Sequence, residues 1–191
     1  MRKRSLWIIG LTLITATSAF AKINQLNFAP KPFDDNSYTI LVYDTTNQLK
    51  VQPLNSQSYD FAFRDKQSRF EIRYTMFSQT GPTEDFKSQV AMWAVMVLQN
   101  IAGNEKTIRS ATPFKNADVK AEFQADYGLT AFIVDGSSDF TQGWKYAMVN
   151  FFYKKKIGIM CQAILFKDAS FARDPLLNKM FHSFHFNEQK E

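Results

Sequence analysis

The chain has 191 residues, of which 45% are apolar, 15% aromatic and 21% charged, proportions that exclude intrinsic disorder and a low-complexity fibre. Its formal net charge is +5, but three of the basic residues stand together at the start, and without them the chain is nearly balanced. That excludes the basic excess or stripe by which a nucleic-acid binder gains most of its affinity.

The first segment reads as a secretion leader, 1–21. Arg2, Lys3 and Arg4 make a basic start, 6–14 is an apolar run, and Ala19 and Ala21 flank Phe20 as the small residues a signal peptidase inspects. Cleavage is expected after Ala21, which makes the protein periplasmic or secreted. The apolar run is shorter than the roughly 20 residues that span a bilayer, and no lipid-accepting cysteine follows it. The remainder is expected to form one domain without a transmembrane helix: an N-terminal extension or loop at 22–37, an α+β domain at 38–187 and a polar tail at 188–191.

Pro30, Pro32 and the polar run 34–37 carry loop chemistry. A strand is predicted at 38–43, rich in β-branched and aromatic residues. Tyr59, Phe61 and Phe63 then alternate with Asp60, Ala62 and Arg64, the period of a strand with one buried face. After a tight polar link at 65–68, Phe70, Ile72, Tyr74 and Met76 fall on one side and Glu71, Arg73 and Thr75 on the other, which predicts a hairpin.

Pro82, Glu84 and Asp85 suit a helix start and Gly103 suits its stop. Between them 90–98 is nine apolar residues in a row, which calls for cover around most of a helix. The spacing predicts a core helix under a sheet; the alternative is that one side forms a groove or docks a partner. A short helix is expected within 113–123, and a buried strand at 129–134 ends at the turn residues 135–138. Two long strands, 144–153 and 157–166, are apolar on both faces, as strands in the middle of a covered sheet are. Asp174 and Pro175 open a last helix carrying Leu176, Leu177, Met180, Phe181 and Phe184 at helical spacing. The order predicts an α+β fold, a single-domain α/β/α sandwich with a mostly antiparallel sheet covered by helices on both faces.

No G-x-S-x-G, H-E-x-x-H, Walker-type loop or G-x-G-x-x-G occurs, and seven glycines leave little to build one from; no catalytic residue, cofactor or metal is assigned. Cys161, the only cysteine, lies in an apolar run and reads as a small buried hydrophobe. His182 and His185, three apart near the end of the last helix, could hold a metal, but no third ligand is evident and the dipole favours histidine in a last turn. The acidic pairs at 34–35 and 135–139 lack calcium-loop spacing and read as turns. Lys154, Lys155 and Lys156 form the one charge run, a hairpin tip kept soluble by charge or a contact to anionic lipid or an acidic partner.

Phe123-Gln124-Ala125-Asp126-Tyr127-Gly128 before a strand, Trp144-Lys145-Tyr146 at a strand entry, the lysine-tipped hairpin ending at Leu165-Phe166, and Phe181-His182-Ser183-Phe184-His185-Phe186 at the close together resemble the PsbP-like superfamily over about 70–186. The resemblance implies an antiparallel sheet between helices, and a non-enzymatic binding or assembly role like that of photosystem extrinsic subunits or a Ran-binding transport factor. It carries over no site residue.

The function expected is therefore that of an exported, soluble envelope protein that binds or helps assemble a protein partner, with no nucleic acid involved. The alternative is a carrier of an apolar small molecule or lipid, suggested by the Met- and Trp-rich helix. A hydrolase built on His182 and His185 ranks last.

Overall fold

The computed structural model describes residues 26–28, 38–42, 59, 61–65, 67–78, 85–102, 108–134 and 140–186. The expected leader at 1–21, the tail at 188–191, both acidic pairs and the start of the long helix at 82–84 lie outside them.

Nine strands and three α-helices are present among the described residues. The strands are β1 (Leu26–Phe28), β2 (Tyr38–Val42), β3 (Phe61–Asp65), β4 (Phe70–Ser78), β5 (Ile108–Pro113), β6 (Tyr127–Val134), β7 (Tyr146–Lys154), β8 (Gly158–Phe166) and β9 (Phe184–Phe186). The helices are α1 (Phe86–Ala102), α2 (Asn116–Phe123) and α3 (Pro175–Phe181), and a 3-10 turn, Ala169–Arg173, precedes α3.

Seven strands form one antiparallel sheet in the order β2-β3-β4-β8-β7-β6-β5. Strand β8 lies inside it between β4 and β7 and is buried at every position, which is why its sequence is apolar on both faces. The expected hairpin is β3–β4, with Phe63 opposite Ile72. Its turn closes through a bond from the Ser68 N–H to the Asp65 carbonyl at 2.8 Å.

Each face of the sheet has its own core. On one, α1 sets Val90, Ala94, Val97, Leu98 and Ile101 against Ala131, Val149, Cys161 and Leu165, a stripe at the helical spacing. On the other, α2, α3, the 3-10 turn and β9 set Val119, Phe123, Phe171, Met180 and Phe184 against Ile72, Phe152, Met160 and Ile164. Each large aliphatic side chain buried this way contributes about 1.5–3 kcal/mol. The architecture is the expected α+β sandwich of helices on both sides of an antiparallel sheet.

Four expectations are corrected. Helix α1 is covered on its sheet side alone: Met92, Val95 and Met96 are 53%, 54% and 48% exposed, and Trp93, half-buried, stacks on Phe77 at 4.4 Å. The last helix stops at Phe181, with His182 as its cap, and the chain turns at Ser183 into β9 instead of carrying Phe184 on the helix. Strand β9 pairs with β1, so Leu26–Phe28, expected as loop, is strand; three residues are too few to show a period, and only the partner defines them. Strand β5 was not expected at all, since its sequence, IRSATP, has neither apolar alternation nor a β-branched run.

Candidate functional site

The expected polar side of β4 is buried. The Arg73 Nε donates to Glu71 Oε1 at 2.5 Å with both side chains within the fold, and Arg64, half-exposed, reaches the other carboxylate oxygen of Glu71 at 2.5 Å. The Arg73 guanidinium also donates to the Phe140 carbonyl and lies over the rings of Tyr59 and Phe140, 4.9 Å and 4.6 Å away. Every charge in this cluster has a partner, and its work is to tie the turn at residue 140 to the sheet.

A second polar row crosses the opposite face. Thr130, Asn150, Gln162 and Tyr74 stand directly opposite one another on β6, β7, β8 and β4. The Thr130 hydroxyl donates to Asn150 Oδ1 at 2.7 Å, and Asn150 Nδ2 donates to Gln162 Oε1 at 3.0 Å. Gln162 Nε2 then donates to the Met180 carbonyl at 3.1 Å and to Ser183 Oγ at 3.2 Å, where Ser183 also hydrogen-bonds the Tyr74 hydroxyl. Burial pushes the Tyr74 phenol up to about 12, against the pull of these bonds. The row fastens the end of α3 to the sheet, because a buried amide left without these partners would be costly.

Beside that anchor the cover is incomplete. Strand β6 buries Leu129, Ala131 and Ile133 toward α1, but Thr130, Phe132 and Val134 on the α3 side are half-buried. Strand β7 repeats this with Ala147 and Val149 buried and Tyr146 and Met148 half-buried. The result is a groove of about 450 Å³ between α3 and the edge of the sheet, floored by Thr130 and Met148 and walled by Phe114, Leu177 and Phe181. Arg173, Asp174 and Asn178 stand at its mouth. Gly128 permits the wall: a Cβ there would come within 3.0 Å of the Phe114 ring and 3.2 Å of the Phe151 carbonyl. The sequence assigns none of these residues to a site: Asp174 and Pro175 signal a helix start there, and Leu177 and Phe181 its packed stripe.

The residues that were singled out are dispersed. Lys154, Lys155 and Lys156 do form the β7–β8 turn, but Lys154 Nζ donates to the Gln124 carbonyl at the end of α2 at 2.6 Å. The Lys155 N–H donates to Asp126 Oδ2 at 2.8 Å. Lys155 and Lys156 have exposed side chains. His182 and His185 part company, one capping α3 and the other on β9. The His182 Nε2 lies 2.7 Å from Glu122 Oε2, and its ring stacks on Phe123. Cys161 is buried, and burial pushes its thiol well above the usual range. Among the described residues no three His, Cys, Asp or Glu side chains cluster as metal ligands, and no helix is long and apolar enough to cross a membrane.

No family model matches the chain, and no curated protein matches it. The chain is similar to the solution structure of cyanobacterial PsbP (CyanoP) from Synechocystis sp. PCC 6803, with 12% identity and a TM-score of 0.42 over 85% of this chain and 92% of that one. At this level of similarity nothing about ligand, partner or site passes from that protein to this one.

Proposed function

We propose that the chain is an exported, non-enzymatic binding module that docks a protein partner on the outer stripe of α1. The observation that supports this is the exposure of Met92, Val95 and Met96 at 53%, 54% and 48%, three large apolar side chains that the helical spacing places side by side. A stripe rich in methionine and free of charge has the composition of an interface centre, where charged residues are depleted and methionine enriched. Methionine also adapts its flexible side chain to a partner's contour. The partner therefore offers an apolar surface, and Lys155 and Lys156 on the β7–β8 turn supply a charged contact to an acidic flank of it. The basic, apolar and small-residue segments of 1–21 support release into the periplasm or beyond, with the mature chain starting at Lys22.

A photocrosslinking residue placed at Val95 in the native host tests this. A discrete adduct is expected from Val95, absent when the crosslinker sits at exposed Lys179 and abolished by Met92→Asp with Met96→Asp. No adduct at Val95, or one indifferent to those substitutions, overturns the reading. N-terminal sequencing of the accumulated protein checks the cleavage after Ala21.

A further inference from the structure

The groove beside α3 combines a preformed apolar bed with an exposed positive charge at its mouth. Its floor offers carbon: the Met148 side chain is half-buried there, and the Thr130 hydroxyl is turned away to Asn150. Its walls are held by ring packing, Phe114 lying parallel to Phe152 at 5.8 Å and Phe181 edge-on to Phe123 at 5.0 Å. The two charges at the mouth differ in what they are free to do. The Asp174 carboxylate accepts the Leu176 N–H at 2.8 Å and caps α3. The Arg173 guanidinium is exposed, with no carboxylate partner among the described residues.

We propose that this groove binds an amphipathic carboxylate, its aliphatic body of medium length lying on Met148 between Phe114 and Phe181 and its head group paired with Arg173. The volume of about 450 Å³ falls within the roughly 300–1,000 Å³ of small-molecule sites, which are mostly apolar with a few polar groups fixing orientation. A planar guanidinium suits a carboxylate because it donates two parallel bonds to it. A neutral ligand of the same body keeps the apolar contacts and loses that pairing, and a cationic one is repelled. The site lies across the sheet from the exposed stripe of α1 and does not depend on it.

Calorimetric titration of the full chain with decanoate, decanol and decyltrimethylammonium tests the proposal. Decanoate is expected to bind saturably, about tenfold more tightly than decanol, as suits one charge-assisted contact, and the cation not measurably. Arg173→Gln is expected to bring decanoate down to the decanol level and leave decanol unchanged. Met148→Trp, which fills the floor, and Ala172→Trp, which blocks the mouth from an exposed position and so spares the core, are both expected to weaken decanoate and decanol alike. Met92→Lys with Met96→Lys leaves all three ligands as before. Absence of decanoate binding, equal affinity for decanoate and decanol, indifference to Arg173→Gln or Ala172→Trp, or loss through the α1 substitutions would overturn it.

Discussion

Arg73 and Glu71 meet on the inner side of β4 with Nε and Oε1 2.5 Å apart and 1% and 0% of their side chains exposed. Both oxygens of Glu71 are taken, one by Arg73 and the other by Arg64, and Arg73 extends the contact to the Phe140 carbonyl and to Gln142. A buried charge stripped of its partner is far more costly than the pair itself is stabilising. Glu71→Ala is expected to lower stability by about 3–5 kcal/mol. Combining Glu71→Leu with Arg73→Met removes both charges and is expected to cost less than Glu71→Ala alone. Urea unfolding of the three proteins checks this; a Glu71→Ala midpoint close to that of the original protein would show the pair to be inert.

Gln162 joins two strands and a helix end through its amide. Gln162→Leu leaves the Asn150 amide and the Ser183 hydroxyl each without a partner now present, and an unsatisfied buried polar group costs about 1–3 kcal/mol. The loss is expected to fall first on α3, so hydrogen exchange should quicken at the amides of 176–183 before those of β7. Uniform acceleration across the sheet would contradict the anchoring role.

Asp65, at the β3–β4 turn, makes the acid response of the hairpin. Burial pushes its carboxyl up, but bonds from the Arg69 guanidinium at 3.0 Å and the Arg69 N–H at 3.1 Å together outweigh burial and leave it below its ordinary range. A depressed carboxyl stabilises the fold above the pKa it has when unfolded, about 3.9, and that contribution is lost as pH falls through the lower folded value. Asp65→Asn is therefore expected to be less stable than the original protein at pH 7, with the gap narrowing below about pH 4 and closing once Asp65 is protonated. A gap that does not change with pH would remove the charge from the account.

The Cys161 thiol, buried under α1 with its ionisation pushed up, is expected to resist alkylation, since the thiolate is the reactive form. Iodoacetamide should leave the folded protein unlabelled for hours and label it fully in denaturant. Prompt labelling of the native protein would place Cys161 in contact with solvent.

What was legible in the residues was whatever depends on local pattern. The alternation in 70–76, the doubly apolar runs that became β7 and β8, and the Asp174-Pro175 start of α3 each declare themselves within one element, because strand period and cap chemistry act over a few residues. They sufficed for an antiparallel sheet between helices.

Only the folded chain decided the rest. Nine consecutive apolar residues present the same character on every face of a helix, so nothing in 90–98 told that Val97 packs inward while Val95 and Met96 face water; packing against β6, β7 and β8 decided it. The alternation sets Glu71 and Arg73 on one side of β4, but a charge pattern is silent about what lies over it, and the fold buries the pair. The groove exists because α3 ends after two turns and covers β6 and β7 only in part, and a gap between elements is a property of their placement, carried by no residue alone.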